Sequence, residues 1–141
     1  MDKKPVVRIR DVMKREFDTV DGLATISEAL AAMKHVENKS LIVDKRHEDD
    51  EFGMLLISDV ARHVLAKDRA PDRVNVYEVM SKPVITVDAD MDIRYCARLF
   101  ERFDLSRAPV LEERKVVGIV SFTDLVLKGM CEIGGHCSTR H

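Results

Sequence analysis

The sequence predicts an α/β fold made of two copies of one β-α-β-β-α unit, and three observations predict it. The same residue punctuation occurs twice at a nearly constant spacing, each half carries an apolar stripe at helical period, and each half carries two short apolar runs flanking a charged turn. Val12-Met13 recurs as Val79-Met80, Val20-Asp21 as Val87-Asp88 and Ile26 as Ile93, each 67 positions on (80 − 13, 87 − 20, 93 − 26). Ser40-Leu41-Ile42-Val43 answers Ala108-Pro109-Val110-Leu111 at 68 (108 − 40), and Gly53 with Asp59 answers Gly118 with Asp124 at 65 (118 − 53, 124 − 59). The small shifts mark loop insertions and deletions.

Within the first copy, Ile26, Ala29, Leu30, Met33 and Val36 form the stripe of an amphipathic helix, with Thr25 and Glu28 spaced as a capping box at its start. Leu41–Val43 then has strand length and composition, Asp44–Glu51 is a charged turn, and Gly53–Ile57 reads as the returning strand. A second helix is expected from about Asp59 to Lys67. The second copy repeats the order: a helix on Ile93, Cys96, Ala97, Phe100 and Phe103, strands Pro109–Leu111 and Val116–Val120 around the turn Glu112–Lys115, and a helix from about Thr123 to Met130. The charged, proline-containing stretch Lys67–Arg73 reads as a linker. This sets the expected domains at residues 9–67 and 76–130, with a linker at 68–75 and a flexible C-terminal tail at 131–141.

Composition narrows the function classes. The chain has 141 residues, 45% of them hydrophobic and 34% charged, which suits a soluble globular domain rather than a disordered tail or a membrane bundle. A net charge of −2 gives no global attraction to nucleic acid or anionic lipid. No stretch is apolar enough for a signal peptide or a membrane span, so a cytoplasmic location without nucleic-acid or membrane partners is expected. Three cysteines argue against a disulfide framework. No nucleophile elbow, P-loop, dinucleotide fingerprint or paired metal-protease histidines occur, so nothing asks for an enzyme and no catalytic residue is assigned.

The arrangement resembles a tandem pair of cystathionine-β-synthase (CBS) domains, the regulatory unit called a Bateman module, here standing alone. The likeness runs from near Ile9 to near Lys128 and rests on the opening Val-Met of both copies, on Ser81-Lys82-Pro83-Val84-Ile85-Thr86-Val87, and on Ser106-Arg107-Ala108-Pro109-Val110. The family's ligand motif, Gly-hydrophobic-x-Ser/Thr-x-x-Asp, is complete in the second copy as Gly118-Ile119-Val120-Ser121-Phe122-Thr123-Asp124. An ionised Asp can accept both hydroxyl protons of a ribose diol while a nearby hydroxyl makes a third bond. In the first copy, Gly53-Met54-Leu55-Leu56-Ile57-Ser58-Asp59 puts Leu56 where the hydroxyl belongs, and Leu41 stands where the family has proline.

The resemblance implies two repeats packed through their sheets with pseudo-two-fold symmetry, and a non-catalytic sensor of an adenosine nucleotide (AMP, ADP or ATP) held in the cleft between them. It places Ser121, Asp124 and Thr123 at the ribose, Val84, Ile85 and Thr86 along the adenine, and Arg107, with Ala108 and Pro109 beside it, near phosphate, with Lys82 a weaker phosphate candidate. Ser58, Asp59, Ser40 and Ile42 would form a weaker second site. It further implies a homodimer and an effector protein of unknown identity. Whether magnesium accompanies the phosphates is left open.

Each residue also has a plainer reading. Ser121 and Asp124, like Ser58 and Asp59, have the residue types of helix caps. Val84–Thr86 would suit a core strand, Arg107 a solvated strand start, and Cys96 a buried core position. The run His47–Glu51 reads as a solvated hairpin loop. Two alternatives stand beside the sensor: a ligand-free interaction scaffold, and a metal- or redox-responsive module using Cys131, His136, Cys137 and His141. The tail's spacing matches no standard zinc module, so no metal site is assigned.

Overall fold

The computed structural model describes residues 6–134. It contains two three-stranded sheets, each the product of one repeat. In the first, β1 (Thr19–Val20) pairs parallel with β2 (Ser40–Val43), which pairs antiparallel with β3 (Gly53–Leu56). In the second, β4 (Val87–Asp88) pairs parallel with β5 (Arg107–Glu112), and β5 antiparallel with β6 (Lys115–Ser121). The helices of each repeat fall where expected in order. These are α1 (Ile26–Ala32), α2 (Ile57–Val60, continued by a π-helical turn over Ala61–Leu65), α3 (Ile93–Phe103), α4 (Phe122–Asp124, continued by a π-helical turn over Leu125–Gly129) and α5 (Met130–Gly134).

The Thr25–Glu28 capping box forms as the sequence predicts: the Glu28 N–H donates to Thr25 Oγ1 at 3.1 Å and the Thr25 N–H to Glu28 Oε1 at 3.0 Å. The far end of α1 differs from expectation. The helix stops at Ala32, and Val36, the last residue of the apolar stripe, is exposed in a short 3₁₀ turn, Val36–Asn38. The cause is Asp18, a buried carboxylate that accepts the backbone N–H groups of Lys34 and His35 at 3.0 and 2.8 Å. It turns the chain out of the helix. In the second repeat nothing intervenes, and α3 runs eleven residues with Ile93, Cys96 and Phe100 buried; Phe103, the last of its stripe, is exposed.

The compact units do not follow the sequence segments 9–67, 68–75 and 76–130. One is Glu16–Val84; the other joins the residues up to Arg15 to those from Ile85 onward. Backbone bonds explain the exchange. In the first unit Ile26 N–H donates to Val74 O, Val76 N–H to Ala24 O and Tyr77 N–H to Gly22 O. In the other the matching bonds run from Ile93 to Val7, from Ile9 to Met91 and from Arg10 to Ala89, every partner 67 positions away from its counterpart. Val74 and Val76 are buried in the core of the first unit with Ile26, Leu41, Val43 and Leu55. Val7, Ile9 and Val12 are buried with Val87, Ile93, Phe100 and Val110. Each repeat's opening turn therefore completes the core of the other repeat, and the stretch expected as a linker contributes a strand-like edge.

Two motif glycines have a structural reason. A Cβ on Gly118 would lie 2.5 Å from Lys14 O, and one on Gly53 would lie 3.0 Å from Ser81 O. Each glycine lets a crossing segment bridge to the last strand, Lys14 to Ile119 and Ser81 to Met54. The expected tail begins as helix: α5 continues to Gly134, and Cys131 is disulfide-bonded. His136, Cys137 and His141 lie outside the described residues.

Candidate functional site

The second repeat brings Arg107, Ala108, Pro109, Ser121 and Asp124 to one end of its sheet. The β5–β6 ladder sets Arg107 opposite Ser121, Ala108 opposite Val120 and Pro109 opposite Ile119. Thr86 comes immediately before β4, whose Val87 pairs with Val110, next to Pro109 in β5. Ser121 ends β6 and caps α4, its Oγ accepting the Asp124 N–H at 3.1 Å. The plain reading of Ser121 thus holds, and the Asp124 carboxylate takes no part in that cap.

Asp124 is 7% exposed, and its Oδ2 has no hydrogen-bond partner among the described residues. Oδ1 lies 3.8 Å from Lys128 Nζ, one helical turn on. The nearby Arg107 guanidinium is half-buried; burial pulls its pKa below the ordinary arginine value, and the Asp124 charge acts against that pull. A buried carboxylate oxygen without a donor is costly, and native proteins rarely leave one unless a ligand or water completes it. The group that fits is a donor such as a sugar hydroxyl. An anion or another acceptor is the group that suits the Arg107 guanidinium beside it.

The neighbouring predicted residues divide. Thr123 is exposed and lines a shallow apolar cleft of about 310 Å³ with Phe122, Val126 and Leu127. Val84, Ile85 and Thr86 do not form a core strand: Ile85 is exposed, the other two are half-buried, and no strand begins until Val87. Their backbone groups stay outside any ladder except Val84 N–H, which donates to Phe52 O at 3.2 Å within the other unit. Lys82 also belongs to that other unit and ion-pairs with Asp50 at 2.7 Å. His47, Glu48, Asp49 and Glu51 are exposed, as expected of a solvated loop, while Asp50 turns to Lys82; that ammonium and the Arg46 N–H hold its carboxyl well below the usual carboxylate range.

The first repeat builds the same corner with its aspartate committed to its own helix. Ser40 pairs across the ladder with Leu56, and both Ser40 and Ile42 are buried. Ser40 Oγ donates to Asn38 O at 3.2 Å, and Ser58 is exposed. Asp59 accepts the Leu56 N–H at 3.3 Å and pairs with Arg62 at 3.3 Å. Sequence reasoning passed over Asp18, which sits just before β1 and spends both carboxylate oxygens on the chain turn at Lys34 and His35. Its signal was present as an Asp preceding a strand, but nothing local in sequence names partners sixteen residues away.

Cys96 is fully buried, and burial pushes its thiol up to about 12. Among the described residues no group of three or more His, Cys, Asp or Glu side chains can hold a metal, and no helix is long and apolar enough to cross a membrane.

Comparison with known proteins adds a likeness. A family model for the CBS domain matches residues 76–129. A hexameric CBS-CP12 protein from bloom-forming cyanobacteria is 32% identical, with a TM-score of 0.85 over 94% of this chain and 77% of that one. An uncharacterised protein of Methanopyrus kandleri is 28% identical over 85% of this chain and 61% of its own length. The CBS domain pair of protein MJ0100, in complex with 5′-methylthioadenosine and S-adenosylmethionine, shares the fold with a TM-score of 0.74 at 23% identity, over 91% of this chain and 99% of that one. The chain spans less than two thirds of the length of several curated relatives it matches.

Proposed function

The chain belongs to the CBS-domain family, and from that premise we propose that it is a non-catalytic regulatory module whose second repeat binds an adenosine-containing ligand. The observation that carries this reading is Asp124 Oδ2, buried beside Arg107 and lacking a donor. Ribose hydroxyls supply that donor, and Arg107 supplies a cation for a phosphate or sulfonium-bearing ligand's carboxylate. Thr86 and Ile85 offer backbone outside any strand and apolar surface for the base. That a family neighbour holds adenosyl ligands supports the same class of compound here.

One repeat binds and the other does not, because the first repeat's aspartate already serves as a cap. Binding acts on a partner only to the extent that the ligand prefers one arrangement of the module over another. Exposed apolar side chains on the second helix of each repeat, Ile57 and Leu65 in one and Phe122, Val126, Leu127 and Met130 in the other, support assembly as a homodimer. The listener is a separate effector protein. The ligand-free scaffold reading is favoured only by the first repeat's closed corner.

The test is thermal unfolding with and without ligand. A compound that binds only the folded chain at a hundred times its Kd adds about 2.7 kcal/mol, a shift of several degrees. AMP, ADP, ATP or S-adenosylmethionine should raise Tm in the wild type and leave Asp124→Ala unmoved. Equal shifts in both would remove Asp124 from the site.

A further inference from the structure

The pseudo-symmetric bonds from Tyr77 to Gly22 O and from Arg10 to Ala89 O, both 3.0 Å, identify equivalent places in the two units, at the opposite end of each sheet from Asp59 and Asp124. In the second repeat's unit this place is closed by charge. The Arg10 guanidinium reaches across it to Asp90 and, at 3.1 Å, to Glu112. In the first repeat's unit the same positions hold other chemistry: Tyr77 replaces Arg10, Leu23 replaces Asp90 and Gly22 replaces Ala89. Tyr77 and Leu23 cannot form the bridge that Arg10 and Asp90 form, and a half-enclosed cavity of about 250 Å³ stands there instead.

Its lining is mixed in a definite way. Leu23, Val43 and Met80 give an apolar floor, and the half-exposed Tyr77 ring gives a wall. Asp44 borders it from the end of β2, with Asp21 close enough to act on its charge; burial and Asp21 together raise the Asp44 pKa. Arg46 and Lys82 border it with the opposite sign, Lys82 already sharing its charge with Asp50. A ligand with only negative charge meets Asp44, and one with only positive charge meets Arg46 and Lys82. A ligand carrying both, with an apolar group for the floor, satisfies each side.

We propose that this cavity is a second small-molecule site, distinct from the Asp124 corner, that takes a small zwitterion with an apolar side group, the chemistry of a free α-amino acid. The ammonium faces Asp44, the carboxylate faces Arg46 and Lys82, and the side group lies against Leu23, Met80 and the Tyr77 ring.

The probes are L-methionine, L-leucine and L-phenylalanine, with acetate and butylammonium as single-charge controls, titrated into the nitrogen-labelled full chain and followed by amide chemical shifts. Saturable shifts confined to residues 20–24, 43–46 and 77–82 are expected from at least one amino acid and from neither control. Tyr77→Arg copies the plug of the other repeat and should weaken binding at least about tenfold. Gly22→Leu fills the cavity from behind and should do the same, so the result does not depend on one variant. Asp124→Ala should leave amino-acid binding unchanged, which separates this site from the adenosine reading. No saturable shift from any amino acid, equal binding of a single-charge control, or full binding by both cavity variants overturns the proposal.

Discussion

Ser121 Oγ accepts the Asp124 N–H at 3.1 Å, and that one bond decides how the two repeats differ. The first repeat has Leu56 at the position of Ser121, with no side-chain oxygen to offer, and there Asp59 turns back and accepts the Leu56 N–H itself. A capping hydroxyl thus leaves Asp124 Oδ2 without a hydrogen bond, and its absence commits Asp59 to its own helix. The serine of the motif acts through the helix end.

Removing the carboxylate of Asp124 should separate binding from stability. Asp124→Asn keeps the shape and removes a charge that faces Lys128 at 3.8 Å and Arg107, while Oδ2 has no hydrogen bond to give up and burial of the charge is relieved. Its unfolding free energy should stay within about 0.5 kcal/mol of the wild type while adenosine-ligand affinity falls at least about tenfold. Urea titration and ligand titration of the same preparation check the two halves.

Ser121→Ala should behave differently, since it removes a cap. A loss of about 1 kcal/mol is expected, or roughly 3–5 °C in Tm at this chain length, with Asp124 turning back to its own helix and ligand affinity falling as well. The reciprocal change, Leu56→Ser, should relieve Asp59 of capping and raise ligand stoichiometry above that of the wild type. Calorimetric stoichiometry reads this directly.

Glycine substitutions should sort by what stands in front of them. Gly118→Ala drives a Cβ to 2.5 Å from a backbone oxygen that cannot move without breaking the Lys14–Ile119 bridge, and should cost about 2 kcal/mol or more. Gly22→Ala meets its nearest atoms at 3.6 and 3.7 Å and should change stability by less than about 0.5 kcal/mol. Denaturant midpoints of the two variants check the contrast.

Much of this architecture is legible in the sequence itself. The repeat, the strand and helix order, the capping box at Thr25 and the unequal ligand motifs all follow from local spacing and residue type. What was not legible depends on residues far apart in sequence. Asp18 ends α1 by bonding chain sixteen and seventeen positions on, Val74 at the end of the expected linker and Val76 and Val79 at the start of the expected second domain complete the first unit's core, and Asp50 turns from its acidic run to meet Lys82. A periodic pattern reports which face a residue prefers; it carries no record of which distant backbone will compete for it.

The Asp50–Lys82 pair gives a pH dependence with a definite sign. Asp50 in the fold holds its proton less tightly than the 3.8 of a free carboxyl, because Lys82 and the Arg46 N–H favour the anion. The unfolded chain therefore binds the proton first, so the pair's contribution is complete above about pH 5 and is lost as pH falls below 4. Between pH 5 and 2.5, Asp50→Asn should lose stability less steeply than the wild type. Parallel slopes would mean that the pair is not formed in solution.

Cys96 should resist alkylation in the native state. Its thiol is fully buried and pushed up to about 12, so at pH 8.5 it presents neither access nor thiolate. Iodoacetamide followed by peptide mapping should modify it only after denaturation.

Calorimetric titration of nucleotide-stripped protein with AMP, ADP, ATP and S-adenosylmethionine, beside an Asp124→Ala control, tests the central claim most directly. Saturable binding of at least one of them at a single class of site, lost in the control while the control stays folded, is the predicted result. Folded wild-type protein that binds none of them, or binds them as well without Asp124, would contradict the account and leave the interaction scaffold in its place.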